Sequence, residues 1–302
     1  MKILSASLLV FLLFGFVYQS YSSYVDSDSF EKTGEMIDVG GYSLYIEDRG
    51  TERVTVVFDS GMGDDLSVWN KVAGEVSKFS RVITYDRAGL GWSDESPKER
   101  DSKIIVAELH SVLEEKDITG PIILVGHSFG GVNMQRFALT YPEDVAALVL
   151  IDSAHEDQIN KMPKANFLQK YLFKLGMWAA PFGIPRLYLS STNPEEKAKK
   201  STTKHQYTSL DEAEYFPKSL SELSELTPNY GDLPLVVIAR NKASSEIKNT
   251  KTRDLVWATL QENIAARSTN STIIFSGERQ YSIHKTQPDI VIEAIQTLVG
   301  SL

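Results

Sequence analysis

Short runs rich in valine and isoleucine recur along the chain at 54–58, 82–85, 122–125, 147–151, 235–239 and 272–275. Such runs suit strands buried on both faces, as in a parallel sheet. Between them apolar residues return every three or four positions. Ile105, Val106, Leu109, Val112 and Leu113 form one stripe within 102–116, which predicts a helix. Pro288 opens a last helix whose inner face is Val291, Ala294, Ile295 and Leu298. Ahead of these, 36–39 and 42–48 flank Gly40-Gly41 and read as a hairpin. Strands alternating with helices predict an α/β fold: a mostly parallel, twisted sheet with helices on both faces.

Two segments depart from that rhythm. Residues 156–230 hold no strand-like run; Phe167, Tyr171, Leu172, Phe173, Met177 and Trp178 are followed by polar helical stretches. Inserted between two strands, this segment predicts a helical cap over the carboxyl edge of the sheet, with most of those apolar residues forming its own core. The core domain then divides into 36–155 and 231–302. At the other departure, Met1-Lys2 precedes sixteen uncharged residues from Ile3 to Tyr18. Residues 1–24 read as a signal peptide or signal anchor, with 25–35 as a polar linker, placing the protein outside the cytoplasm, membrane-anchored or secreted.

A net charge of −9 and the lack of any basic cluster argue against a nucleic-acid partner. The chain has no cysteine, which excludes disulfides, thiolate catalysis and cysteine-ligated zinc. His110, His127, His155, His205 and His284 show no paired metal-ligand spacing, so no metal or cofactor is expected. A small-molecule substrate is the expected partner.

The chemistry concentrates at Gly126-His127-Ser128-Phe129-Gly130, which follows a strand and precedes a helix over 132–141. That context makes G-x-S-x-G a nucleophile elbow, with the serine on a sharp turn at a helix N-terminus. A second glycine turn, Gly61-Met62-Gly63, follows the strand at 54–58. The N–H groups of Met62 and Phe129 are the expected oxyanion donors. Trp69 is a candidate for the wall of an apolar substrate pocket.

Asp86-Arg87-x-Gly89-x-Gly91-x-Ser93, together with Gly126-His127-Ser128-Phe129-Gly130-Gly131, resembles the α/β-hydrolase superfamily, in its capped esterase, peptidase and haloperoxidase-like branch. The resemblance runs from about residue 36 to the C-terminus. It implies a serine hydrolase cleaving an ester, amide or related bond, with an acid after the strand that follows the cap and a histidine after the last strand. Neither stands where the resemblance puts it. Residues 240–245 hold no aspartate, and Glu246 comes late. Asp152, at the end of the strand after the elbow helix, is the acid candidate; a loop-capping role weighs equally. Counting seven residues back from Pro288 lands on Tyr281, with Ile283 in register. A phenol with an ordinary pKa of about 10 is a poor base near neutrality. His284 is the displaced candidate base, and Tyr281 is assigned to the pocket. Two functions therefore stay open: a serine hydrolase acting through Ser128, or a binding or sensing protein that has lost its base.

Overall fold

In the computed structural model, residues 2–162, 167–189, 191, 193–240, 248–277 and 280–302 are described. Helix α1 spans Lys2–Ser29. Strands β1 (Glu35–Asp38), β2 (Ser43–Arg49), β3 (Thr55–Asp59), β4 (Arg81–Tyr85), β5 (Ile122–His127), β6 (Val145–Ile151), β7 (Leu235–Ala239) and β8 (Ser271–Phe275) form one sheet. Their order is β1-β2-β4-β3-β5-β6-β7-β8, with β1 and β2 antiparallel and the rest parallel.

The core helices are α2 (Asn70–Val76), α3 (Ser102–Glu115) and α4 (Phe129–Thr140). The cap carries α5 (Gln158–Lys161), α6 (Phe167–Trp178), α7 (Ile184–Tyr188), α8 (Pro194–Lys200) and α9 (Thr203–Glu225); α10 (Lys248–Ala265), α11 (Ile283–Thr286) and α12 (Pro288–Val299) complete the chain. Strand alternation sends side chains to opposite faces. Leu124, Leu148 and Val237 pack with α3 and α4 residues such as Leu109 and Phe137. Val125, Val149 and Ile238 pack with Val72 of α2 and Val291 and Ile295 of α12. The sheet is thus covered on both faces, and the carboxyl ends of β3, β5, β6 and β7 converge on one edge.

The N-terminus departs from expectation. Among the described residues no helix is long and apolar enough to cross a membrane. A run of sixteen residues makes only about 24 Å of helix against a hydrocarbon core of about 30 Å. The helix runs on through 25–29, so the expected linker is in part helical. It lies on the cap: Gly15 approaches the Phe182 carbonyl so closely that a Cβ would stand 2.7 Å from it. Gln19 is buried and donates to the Ser201 carbonyl at 2.8 Å, and Arg186 pairs with Asp26 at 2.6 Å.

The cap's apolar residues also divide differently. Met177 is buried, but Tyr171 and Trp178 face solvent; the side chains of Phe167, Leu172 and Phe173 lie outside the described part, as does Glu246.

Candidate active site

The turn from β5 into α4 is held at Ser128, whose φ of 54° is in the left-handed region. A non-glycine residue there costs about 1–3 kcal/mol and persists only where its surroundings impose it. They do so here. The Ser128 N–H donates to the Ile151 carbonyl at 3.1 Å, and its carbonyl accepts from Gly131 and Ala154. The flanking glycines make the crossing possible. A Cβ on Gly126 would lie 2.6 Å from the Gly130 carbonyl oxygen, and one on Gly130 would lie 2.3 Å from that of Asp59. Ser128 is only half-buried, so its hydroxyl is accessible.

The loop after β3 is braced from two sides. The fully buried Arg87 guanidinium pairs with Asp59 and with Glu212 at 2.7 Å, and donates to the carbonyls of Ser60 at 2.7 Å and Gly61 at 2.8 Å. From the cap, Glu212 accepts the Gly63 N–H at 2.8 Å. His205 donates through Nε2 to the Gly63 carbonyl at 2.9 Å, while its Nδ1 accepts from Gly91 N–H at 3.2 Å. Burial pushes this imidazole down to about 4, so it stays neutral and can both give and take. Met62 sits in the braced loop. Phe129 opens α4, its N–H ahead of the helical ladder. Its ring meets Phe216 of the cap edge-on at 5.5 Å.

The group beside the serine is a phenol. Tyr281 donates its hydroxyl to Ser128 Oγ. Its carbonyl is held by His127 Nε2 at 3.2 Å, and its ring stands edge-on to that imidazole at 4.7 Å. Tyr281 is 43% exposed, yet its hydroxyl end is turned to Ser128, and loss of water there pushes the phenol up to about 12; Asp152 and Asp64 push the same way, while the Ser128 hydrogen bond and Arg240 oppose. Tyr281 is therefore protonated at neutral pH.

His284 does not stand at the serine. It sits in α11, 1% exposed, with its ring 4.6 Å from that of Trp69 and 4.5 Å from that of His127. Neither of its nitrogens has a hydrogen-bond partner among the described residues. Burial, reinforced by His127 and Lys285, holds it neutral, well below the usual imidazole range. Ile283 is the reason: its side chain enters the core beside Val291 and Ile295, and the one-turn helix carries the next residue inward with it. Trp69 is displaced from expectation too. It is fully buried, its ring tilted against that of Phe58 at 5.0 Å and against His284, so it packs in the core.

Asp152 is fully buried at the end of β6, with φ 43°. Among the described residues no hydrogen bond or ion pair joins it to a histidine. Its Oδ1 accepts from Trp257 Nε1 at 2.6 Å and from the Arg240 N–H at 3.3 Å, and Oδ2 lies 3.3 Å from Arg240 Nη1. Burial raises its pKa against the pull of these donors. The Arg240 guanidinium lies over Trp257 at 4.7 Å and over Tyr281 at 5.8 Å.

Comparison with known proteins agrees with the fold. A family model described as the alpha/beta hydrolase fold matches residues 54–290. The chain belongs to the α/β-hydrolase family. It is 28% identical over 258 residues to the uncharacterized protein YqjL of Bacillus subtilis, covering 85% of this chain and 88% of the relative. An esterase from Thermogutta terrifontis superposes with a TM-score of 0.60 at 21% identity, over 89% of this chain and 97% of the other. A bromoperoxidase from Bacillus anthracis gives 0.64 at 18%, over 89% and 100%.

Sequence reasoning missed Arg240, Trp257, His205 and Glu212 as parts of this region of the family fold. For two of them a signal existed. His205, Ser209 and Glu212 recur at helical spacing on α9, and all three are buried. A polar stripe at that spacing predicts a helix face turned toward polar partners.

Proposed function

We propose that this protein is a serine-hydrolase-type member of its family, acting on an ester or related acyl bond through Ser128, with the Tyr281 phenol as proton acceptor. The observation that carries this reading is the hydrogen bond from Tyr281 to Ser128 Oγ. At neutral pH that bond runs the wrong way for activation, because the phenol gives a proton where a base must take one. With a pKa of about 12 the phenolate is about one molecule in 10⁵ at pH 7. The site then holds a carbonyl ligand and turns over slowly. As pH rises, the phenolate removes the Ser128 proton while Oγ bonds to the carbonyl carbon. The carbonyl electron pair moves to oxygen and is met by the Met62 and Phe129 N–H groups. Collapse expels the leaving group, which takes the proton back from Tyr281, and water repeats the sequence on the acyl-serine.

The test is cleavage of a short p-nitrophenyl ester across pH. The account expects a rate that rises about tenfold per pH unit below about 12 and vanishes in Ser128→Ala and Tyr281→Phe. A flat profile equal in all three proteins contradicts it. The second reading, a binding or sensing protein, is favoured by the burial of His284 away from Ser128; it expects ligand retention with no serine-dependent cleavage at any pH.

We propose also that α1 serves as an export signal. Leu9, Phe11, Leu13, Phe14 and Val17 are all exposed on it, and such a face is costly in water. Fractionation of the full chain tests this: recovery in a cytosolic fraction contradicts it.

A further inference from the structure

Arg240 is the first residue beyond β7, and the strand delivers it between two aromatic rings, 4.7 Å from Trp257 and 5.8 Å from Tyr281. One buried carboxylate fixes the arrangement. Asp152 takes the Arg240 N–H and the Trp257 indole N–H on Oδ1, and faces Arg240 Nη1 with Oδ2. The guanidinium Nε has no hydrogen-bond partner among the described residues; there the head group meets the two ring faces and Asp152. Stacked on an aromatic face, a guanidinium is attracted to the ring's electrons. On a phenol ring it favours the ionised form further, since a phenolate carries a full negative charge.

We propose that Arg240 is a positioning residue for Tyr281, presenting its positive charge to the face of the phenol ring, while Asp152 anchors Arg240 and partly neutralises that charge. This rests on the reading of Tyr281 as proton acceptor. The other groups facing the phenol are Ser128, which accepts its hydrogen bond, Asp64 in the loop after β3, and the neutral ring of His127. Lys285, in α11, bears on the two imidazoles.

The two charges make the inference testable, because a merely structural role cannot reproduce their opposite signs. The full chain is titrated by ultraviolet absorbance, and the Tyr281 signal is isolated by subtracting the same variant carrying Tyr281→Phe. Arg240→Leu is expected to move the phenol's ionisation upward by about half a unit to one and a half units. Ester cleavage at fixed alkaline pH then falls about three- to thirtyfold. Asp152→Asn, which keeps an oxygen for Trp257, moves the ionisation downward, and Arg240→Lys recovers part of the loss. Shifts in the same direction for Arg240→Leu and Asp152→Asn, or no shift in either, overturn the inference. The two ideas fail separately. Opposite shifts with no serine-dependent cleavage defeat the hydrolase reading alone; Tyr281-dependent cleavage without opposite shifts defeats the role of Arg240 alone.

Discussion

The ring of His284 lies 4.6 Å from the ring of Trp69 and gives neither nitrogen to any hydrogen bond among the described residues. An imidazole so placed is a core side chain. His284→Leu is therefore expected to leave labelling of Ser128 by a fluorophosphonate probe unchanged and to keep or raise stability, since an unsatisfied buried polar group gives way to an apolar one. Loss of labelling in a folded His284→Leu protein would return the imidazole to the chemistry.

The buried histidines also set a pH dependence. His127 and His205 are lowered by burial to about 4, and burial holds His284 well below its ordinary value. Groups with depressed folded pKa values contribute stability that is fully present above about 6.5 and is lost as pH falls toward the folded value. Urea unfolding should show stability declining from about pH 6.5 to pH 4, with a shallower decline in His284→Leu. Constant stability across that range would show that these rings are hydrated.

Glu212 ties the cap to the loop after β3. Glu212→Ala leaves the half-buried Gly63 N–H and one side of the fully buried Arg87 guanidinium unpaired. The expected cost is about 3–5 kcal/mol in chemical denaturation. A cost below about 1 kcal/mol would mean that the cap does not brace this loop.

Two glycines in helices make a contrast. Gly130→Ala puts a Cβ 2.3 Å from the Asp59 carbonyl oxygen and 2.6 Å from that of Ser60, both backbone atoms, so the variant should lose more than about 4 kcal/mol or fail to fold. Gly74→Ala in α2 meets nothing within 4 Å and should gain about 0.4–1 kcal/mol. Comparable unfolding midpoints for the two variants would contradict the tight elbow.

The sheet and the elbow were legible in the sequence because they follow from local rules. Val and Ile runs mark strands buried on both faces, and the glycines around Ser128 answer a steric need within five residues. The vacancy at the base position was legible too, by counting back from Pro288 to Tyr281. What surrounds the phenol was not, because it depends on side chains brought together from far apart. Arg240 and Trp257 meet Asp152 only once β6, β7 and α10 are assembled. His284 was misplaced for a related reason: a four-residue helix turned it inward, and so short a helix leaves no periodic signal. Trp69 likewise reads equally well as pocket or core, and packing alone decides.

The most direct test of the account is the rate at which a fluorophosphonate labels Ser128 at neutral pH in the wild type and in Tyr281→His. If a protonated phenol is what restrains the serine, an imidazole in its place should accelerate labelling about 10²–10⁴-fold, the span a general base contributes. Wild-type labelling already as fast as that of Tyr281→His, and undiminished in Tyr281→Phe, would show that Ser128 is activated without the phenol and contradict the account.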